Sequence, residues 1–156
     1  MSSTNKADQV NEDSGFDPPD PLPTTFTQGM TPDLLIQEKL DEERAQALIE
    51  LGHPRNEEYL DHMLEWMQDY NWPVAQVLQP YLARLGKPMV PRIRAVLEGD
   101  EAIWKYWCIL GLINEMPIEA ARLLRPQLEE LATNPTPSDR EEEVDREAAK
   151  SLARLR

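Results

Sequence analysis

The tripeptides Gly52-His53-Pro54 and Gly86-Lys87-Pro88 repeat one signal 34 positions apart. A glycine can take the left-handed backbone that closes a helix, and a proline just beyond suits the first turn of the next. Met116-Pro117 is a weaker third copy that lacks the glycine. A chain cut in this way is confined to short helices joined by tight corners.

The segments between the junctions carry helical periodicity. One helix of each expected pair follows a shared template, with an apolar residue and then small or apolar residues at +4, +5, +7 and +8. Val144, Ala148, Ala149, Ser151 and Leu152 fit it, as do Ile103, Trp107, Cys108, Leu110 and Gly111. Val74, Leu78, Tyr81 and Leu82 fit with Gln79 as the exception, and Leu40, Ala45, Ala47 and Leu48 fit with Arg44 as the exception. The starting positions are 34, 29 and 41 residues apart, close to the period of paired-helix repeats.

The intervening helices have stripes of their own. Tyr59, Leu60, Met63, Leu64 and Met67 share one face, as do Val90, Ile93 and Leu97, and Ala121, Leu124, Leu128 and Leu131. Ser138-Asp139-Arg140-Glu141 reads as a capping box opening the last helix. Pro80 is expected to kink its helix, and Pro126 to kink or split the helix from Ile118 to Ala132. β-branched residues are scattered singly, so no strand is expected. The fold class expected is all-α, a short right-handed α-solenoid of HEAT-like helical hairpins with seven or eight helices over residues 34–156.

Residues 1–33 differ in kind. They hold five prolines and no apolar periodicity, and are expected to form a disordered acidic, Pro-rich tail. Neither a signal peptide nor a membrane span is expected, and a lone Cys108 fits a reducing compartment, so a cytoplasmic location is expected. The formal charge is −13, from 16 basic and 29 acidic residues. Such a field repels nucleic acid and anionic membranes and favours a basic protein partner. The mid-chain basic residues, Lys87, Arg92, Arg94, Arg122 and Arg125, are too few for a basic groove.

Three strings, WMQDYNWPVAQVL, IWKYWCILGL and NPTPSDREEEVD, resemble in content and order the signature blocks of a family of small bacterial proteins, the domain of unknown function 5071. The resemblance covers roughly residues 34–156. It implies a HEAT-like helical-repeat domain and no activity.

Little here points to catalysis. Glu58, His62 and Glu65 fall on one side of a helix, half of a metal site, and a solvated polar face is the simpler expectation. Cys108, mid-helix among Trp104, Trp107, Ile109 and Leu112, reads as a buried, inert thiol. No catalytic residue, metal ligand set or cofactor is expected, and the chain reads as no enzyme.

The tryptophans carry the binding expectation. Trp66 and Trp107 are expected in the core. Asn71 is expected to cap the helix opened by Pro73, which leaves Trp72 at a corner, and repeat geometry puts Trp104 on the same rim with Asp69 and Lys105 beside it. Lys105 must snorkel outward or pair with a carboxylate. Asp69, Asn71, Trp72, Trp104 and Lys105 are therefore the expected partner-binding residues, with repeat packing as the competing role for the two indoles. The function expected is non-catalytic protein binding, as a bacterial immunity-type inhibitor of a basic toxin. The alternatives are a scaffold or adaptor tethered by its tail, and a metal-dependent enzyme using Glu58, His62 and Glu65.

Overall fold

Both glycine junctions close helices. In the computed structural model, which describes residues 34–156, Gly52 ends α1 (Glu42–Leu51) with φ 77° and Gly86 ends α3 (Pro73–Leu85) with φ 70°. Residues with a Cβ are strained in that backbone region, which is why the signal is glycine. The tail expected over residues 1–33 lies outside the described residues.

Between these helices a 3-10 turn (Glu57–Tyr59) leads into α2 (Leu60–Glu65). After Gly86 a second 3-10 turn with Pro88 near its start leads into α4 (Val90–Leu97). Then come α5 (Ala102–Gly111), α6 (Ile118–Ala121), α7 (Arg125–Thr133), α8 (Pro137–Glu141) and α9 (Val144–Arg154). The described residues contain no strand, and none of their helices is long and apolar enough to cross a membrane. The protein is all-helical there. α1 packs on α3, α3 touches the 3-10 turn that follows α5, and α5 packs on α9. α4 contacts α5 and α7, and α7 lies along α9.

The expected stripes are the core. Leu60, Met63, Met67, Ile93, Leu124 and Leu128 are fully buried, each adding about 1.5–3 kcal/mol by leaving water. The exceptions to the template have partners. The Gln79 amide donates to the Gly111 carbonyl at 2.6 Å, satisfying an orphan acceptor at the end of α5. Arg44 pairs with Asp41, the residue that caps α1, at 3.2 Å. Leu40 precedes α1 and is exposed, so the expected first copy of the template lacks its leading apolar residue, and Ala45 and Leu48 are the buried residues of that helix.

Two expectations are corrected. The capping box sits two residues earlier than read: the Thr136 hydroxyl accepts from Asp139 N–H, and the Asp139 carboxylate accepts from Thr136 N–H. Pro137 can then fill the first helical position, where its missing N–H costs nothing. The last helix is divided, because Glu143 adopts a left-handed φ of 64° between α8 and α9. Pro126 splits its helix, one of the two outcomes expected of it, while the helix holding Pro80 stays continuous. A 3-10 turn (Arg122–Leu124) separates α6 from α7 just ahead of Pro126, whereas α3 runs through Pro80.

Candidate functional site

The chain enters α5 through Gly99-Asp100-Glu101, after α4 ends at Leu97. One turn in, the Trp104 indole N–H donates to the Leu64 carbonyl at 3.2 Å, locking α5 to α2. The rest of the ring remains half-buried and lines two adjoining hollows. The first, about 260 Å³, lies toward α2 and α4 and is walled by Asp61, Glu65, Arg92 and Glu101. The second, about 230 Å³, lies toward α8 and is walled by Asp100, Glu101, Glu141 and Glu142. A third, about 280 Å³, shares Ile103, Glu141 and Glu142 with the second and adds Tyr106, Trp107 and Glu143.

These hollows form one acid-rimmed groove with an aromatic floor. Seven carboxylates line it and one cation does, Arg92, which is already engaged. Its guanidinium reaches Glu57 at 3.0 Å, Asp61 at 3.2 Å and the Pro88 carbonyl at 2.9 Å. The hydrogen bond with His53, with Arg92 adding to it, holds the Glu57 carboxyl below its usual range. Carboxylates above low-dielectric walls focus a negative potential, and indole and phenol faces attract cations.

The five expected binding residues separate into two groups. Asp69, Asn71 and Trp72 come together at the α2–α3 corner. Asp69 is buried and its carboxylate accepts from Asn71 N–H at 2.8 Å, while its carbonyl accepts from Trp72 N–H. Asn71 is exposed and does not cap α3; Trp72 occupies the cap position without a side-chain cap, and Pro73 follows at the first helical position. Trp72 is 3 % exposed and packs edge-on against Trp66 at 5.7 Å, so its ring seals the corner.

Trp104 and Lys105 lie on α5, but on different sides of it. Lys105 is buried and pairs with Asp139 at 3.0 Å, its side chain 4 % and that of Asp139 2 % exposed. One Asp139 oxygen takes the lysine and the other caps α8, so a single carboxylate fixes α8 onto α5. Of the five, Asn71 and Trp104 keep accessible surface, while Asp69, Trp72 and Lys105 serve the interior.

Two further readings change. Trp107, expected in the core, is half-buried against Tyr70 at 5.9 Å and Tyr106 at 5.0 Å. The inward stripe of α5 is instead Ala102, Lys105, Cys108 and Ile109, one step round the helix. His62 leaves the solvated face it was assigned to. It is 3 % exposed, and its Nε2 accepts from Ile36 N–H at 2.9 Å, which requires the neutral ring. Burial lowers its pKa to about 4. That bond also anchors the incoming segment, where Leu35 and Ile36 are fully buried. Among the described residues no three His, Cys, Asp or Glu side chains gather as a metal site. Cys108 is fully buried, and burial pushes its thiol pKa up, away from nucleophilic range.

A family model described as Domain of unknown function (DUF5071) matches residues 34–152. The chain belongs to this family. None of the curated proteins matches it. The matched span of the DUF5071 chain contains both the sealed corner and the whole groove.

Nothing in the sequence marks the acidic groove residues as sharing one site. Glu141-Glu142-Glu143 reads as a solvated helix start until the break at Glu143 and the pairing of Asp139 with Lys105 bring that turn over α5. The nearest sequence signal is the lysine itself: a cation inside an apolar helix demands a carboxylate, and the segment supplying it comes along.

Proposed function

We propose that this DUF5071 chain is a non-catalytic, cytoplasmic protein-binding domain, an immunity-type inhibitor that neutralises a basic toxin in a bacterial cell. The observation that carries the reading is the groove around Trp104, whose rim is carboxylate nearly throughout and whose one cation is already paired. Electrostatic complementarity of this kind speeds encounter and selects partners by sign.

We read the helices as a short right-handed HEAT-like solenoid, with α1, α3, α5 and α9 in one row and α2, α4 and α7 in the other. The contacts of α1 with α3, α5 with α9 and α4 with α7 support this order. Solenoids of stacked pairs present long curved surfaces to protein partners.

The test is co-expression of the full chain with the protein encoded beside it. The expected result is co-purification that weakens as salt rises, relief of that protein's toxicity, and equal affinity when residues 1–33 are removed. Failure of the adjacent protein to bind would overturn the inhibitor reading. Loss of binding on tail removal would favour a tethered adaptor instead.

A further inference from the structure

We propose that the outward stripe of α5, Ile103, Tyr106, Trp107 and Leu110, is a docking face for a cationic amphipathic helix of a protein partner. Its arginine or lysine side chains would be received by Glu141, Glu142 and Glu143. The proposal takes the sign of the partner's charge from the function proposed above; the site and the shape of the ligand come from α5 itself.

The stripe has the i, i+3, i+4, i+7 spacing of a helix face that packs on another helix. The inner side of α5 is already satisfied by α4, α8 and α9, with Ala102, Lys105, Cys108 and Ile109 buried. The outward residues stay open: Ile103, Tyr106 and Trp107 are half-buried, and Leu110 is 37 % exposed. Trp107 is held between Tyr70 and Tyr106, so a ring able to accept a cation is already fixed in place. The hollow of about 280 Å³ between this stripe and the three glutamates has room for a long basic side chain.

Charge decides the occupant. Lys105, the cation within α5, is turned inward to Asp139 and leaves the rim unneutralised. Glu143 has a loose, exposed pair with Arg146 at 3.6 Å, and Glu141 and Glu142 have no ion pair among the described residues. A second copy of the chain would set this rim against a protein of charge −13, and the chain's own residues 1–33, with one lysine and six acidic residues, carry the same sign. A cationic helix from another protein meets no such repulsion.

The experiment uses the full chain labelled at the indole nitrogens, with Trp107→Phe assigning the resonance. The probe is a synthetic helical peptide with leucines on one face flanked by arginines; its control carries glutamates in place of the arginines. The Trp107 indole signal is expected to shift with the arginine peptide, the Trp66 signal to stay, and the glutamate peptide to have no effect. Changing Glu141, Glu142 and Glu143 together to Gln is expected to weaken binding about tenfold at low salt, the sum of three exposed ion pairs. Leu110→Glu, at an exposed site that tolerates the change, is expected to weaken it as well.

An unmoved Trp107 signal, equal binding of both peptides, or a shift that depends on protein concentration without peptide would each overturn the proposal. If the adjacent-gene protein is captured but the stripe variants bind it normally, this inference fails alone. If the peptide binds at the stripe and no adjacent protein does, the inhibitor reading fails alone.

Discussion

The four tryptophans divide into two pairs that the same residue type serves in opposite ways. At the α2–α3 corner, Trp66 and Trp72 are 0 % and 3 % exposed and meet edge to face. Along α5, Trp104 and Trp107 are half-buried above a groove rimmed by glutamates. The corner turns its polar groups inward: Asp69 accepts from the backbone that turns the chain. The α5 surface leaves its carboxylates facing solvent. An aromatic residue at a junction therefore closes the fold where it is enclosed by the core, and is available for recognition where it stays at a surface lined by charge.

The largest effect that would break this contrast is on stability. Trp66→Ala should cost about 4 kcal/mol in urea unfolding, as expected for truncating a fully enclosed aromatic, and Trp72→Ala nearly as much. Trp107→Ala should cost about 1 kcal/mol, because its ring is only partly enclosed and lies at the surface of α5. Equal losses at the two sites would mean that the α5 indole is as structural as the corner, and the division would fall.

Next in size is the ion pair beneath the groove. Lys105→Met leaves the Asp139 carboxylate buried with only its capping bond, and should cost about 3 kcal/mol, the lower end for breaking such a pair because the Thr136 N–H remains. Adding Asp139→Asn, which keeps an acceptor for Thr136 while removing the stranded charge, should recover more than half of that. Additive losses in this double-mutant cycle would show that the two side chains are uncoupled.

Much of this fold is readable without coordinates. Gly52 and Gly86 announce helix ends because few other residues tolerate their backbone, and the stripes through Leu60, Ile93 and Leu128 announce core because nothing else explains the spacing. The site is less legible, for reasons that particular residues make plain. α5 is apolar nearly all round, so periodicity cannot say whether Trp107 or Ile109 points inward; that is decided by where Lys105 finds Asp139, 34 positions away. Glu143 breaks the last helix without glycine, so no local signal marks the turn that carries the acidic rim. His62 was misplaced because its partner is a backbone N–H from residue 36, and backbone donors leave no trace in side-chain pattern.

That last contact gives the smallest effect and the sharpest one to measure, since it compares the segment entering the corner with the rest of the chain. His62 is neutral in the folded protein with a pKa of about 4, against 6.5 for a free ring. The unfolded chain takes up a proton near pH 6.5 that the folded chain refuses until about pH 4. The stability contributed by the neutral ring is therefore complete above about 6.5, declines as pH falls through that window, and changes no further below about 4. Between pH 6 and pH 5 wild type should lose about 1 kcal/mol more than His62→Gln, whose amide oxygen can still accept from Ile36 N–H but does not titrate. Carboxylates titrate in both proteins and cancel in the difference. Parallel pH profiles for the two would show that the ring is solvated after all, and would return His62 to the polar face suggested by its spacing from Glu58 and Glu65.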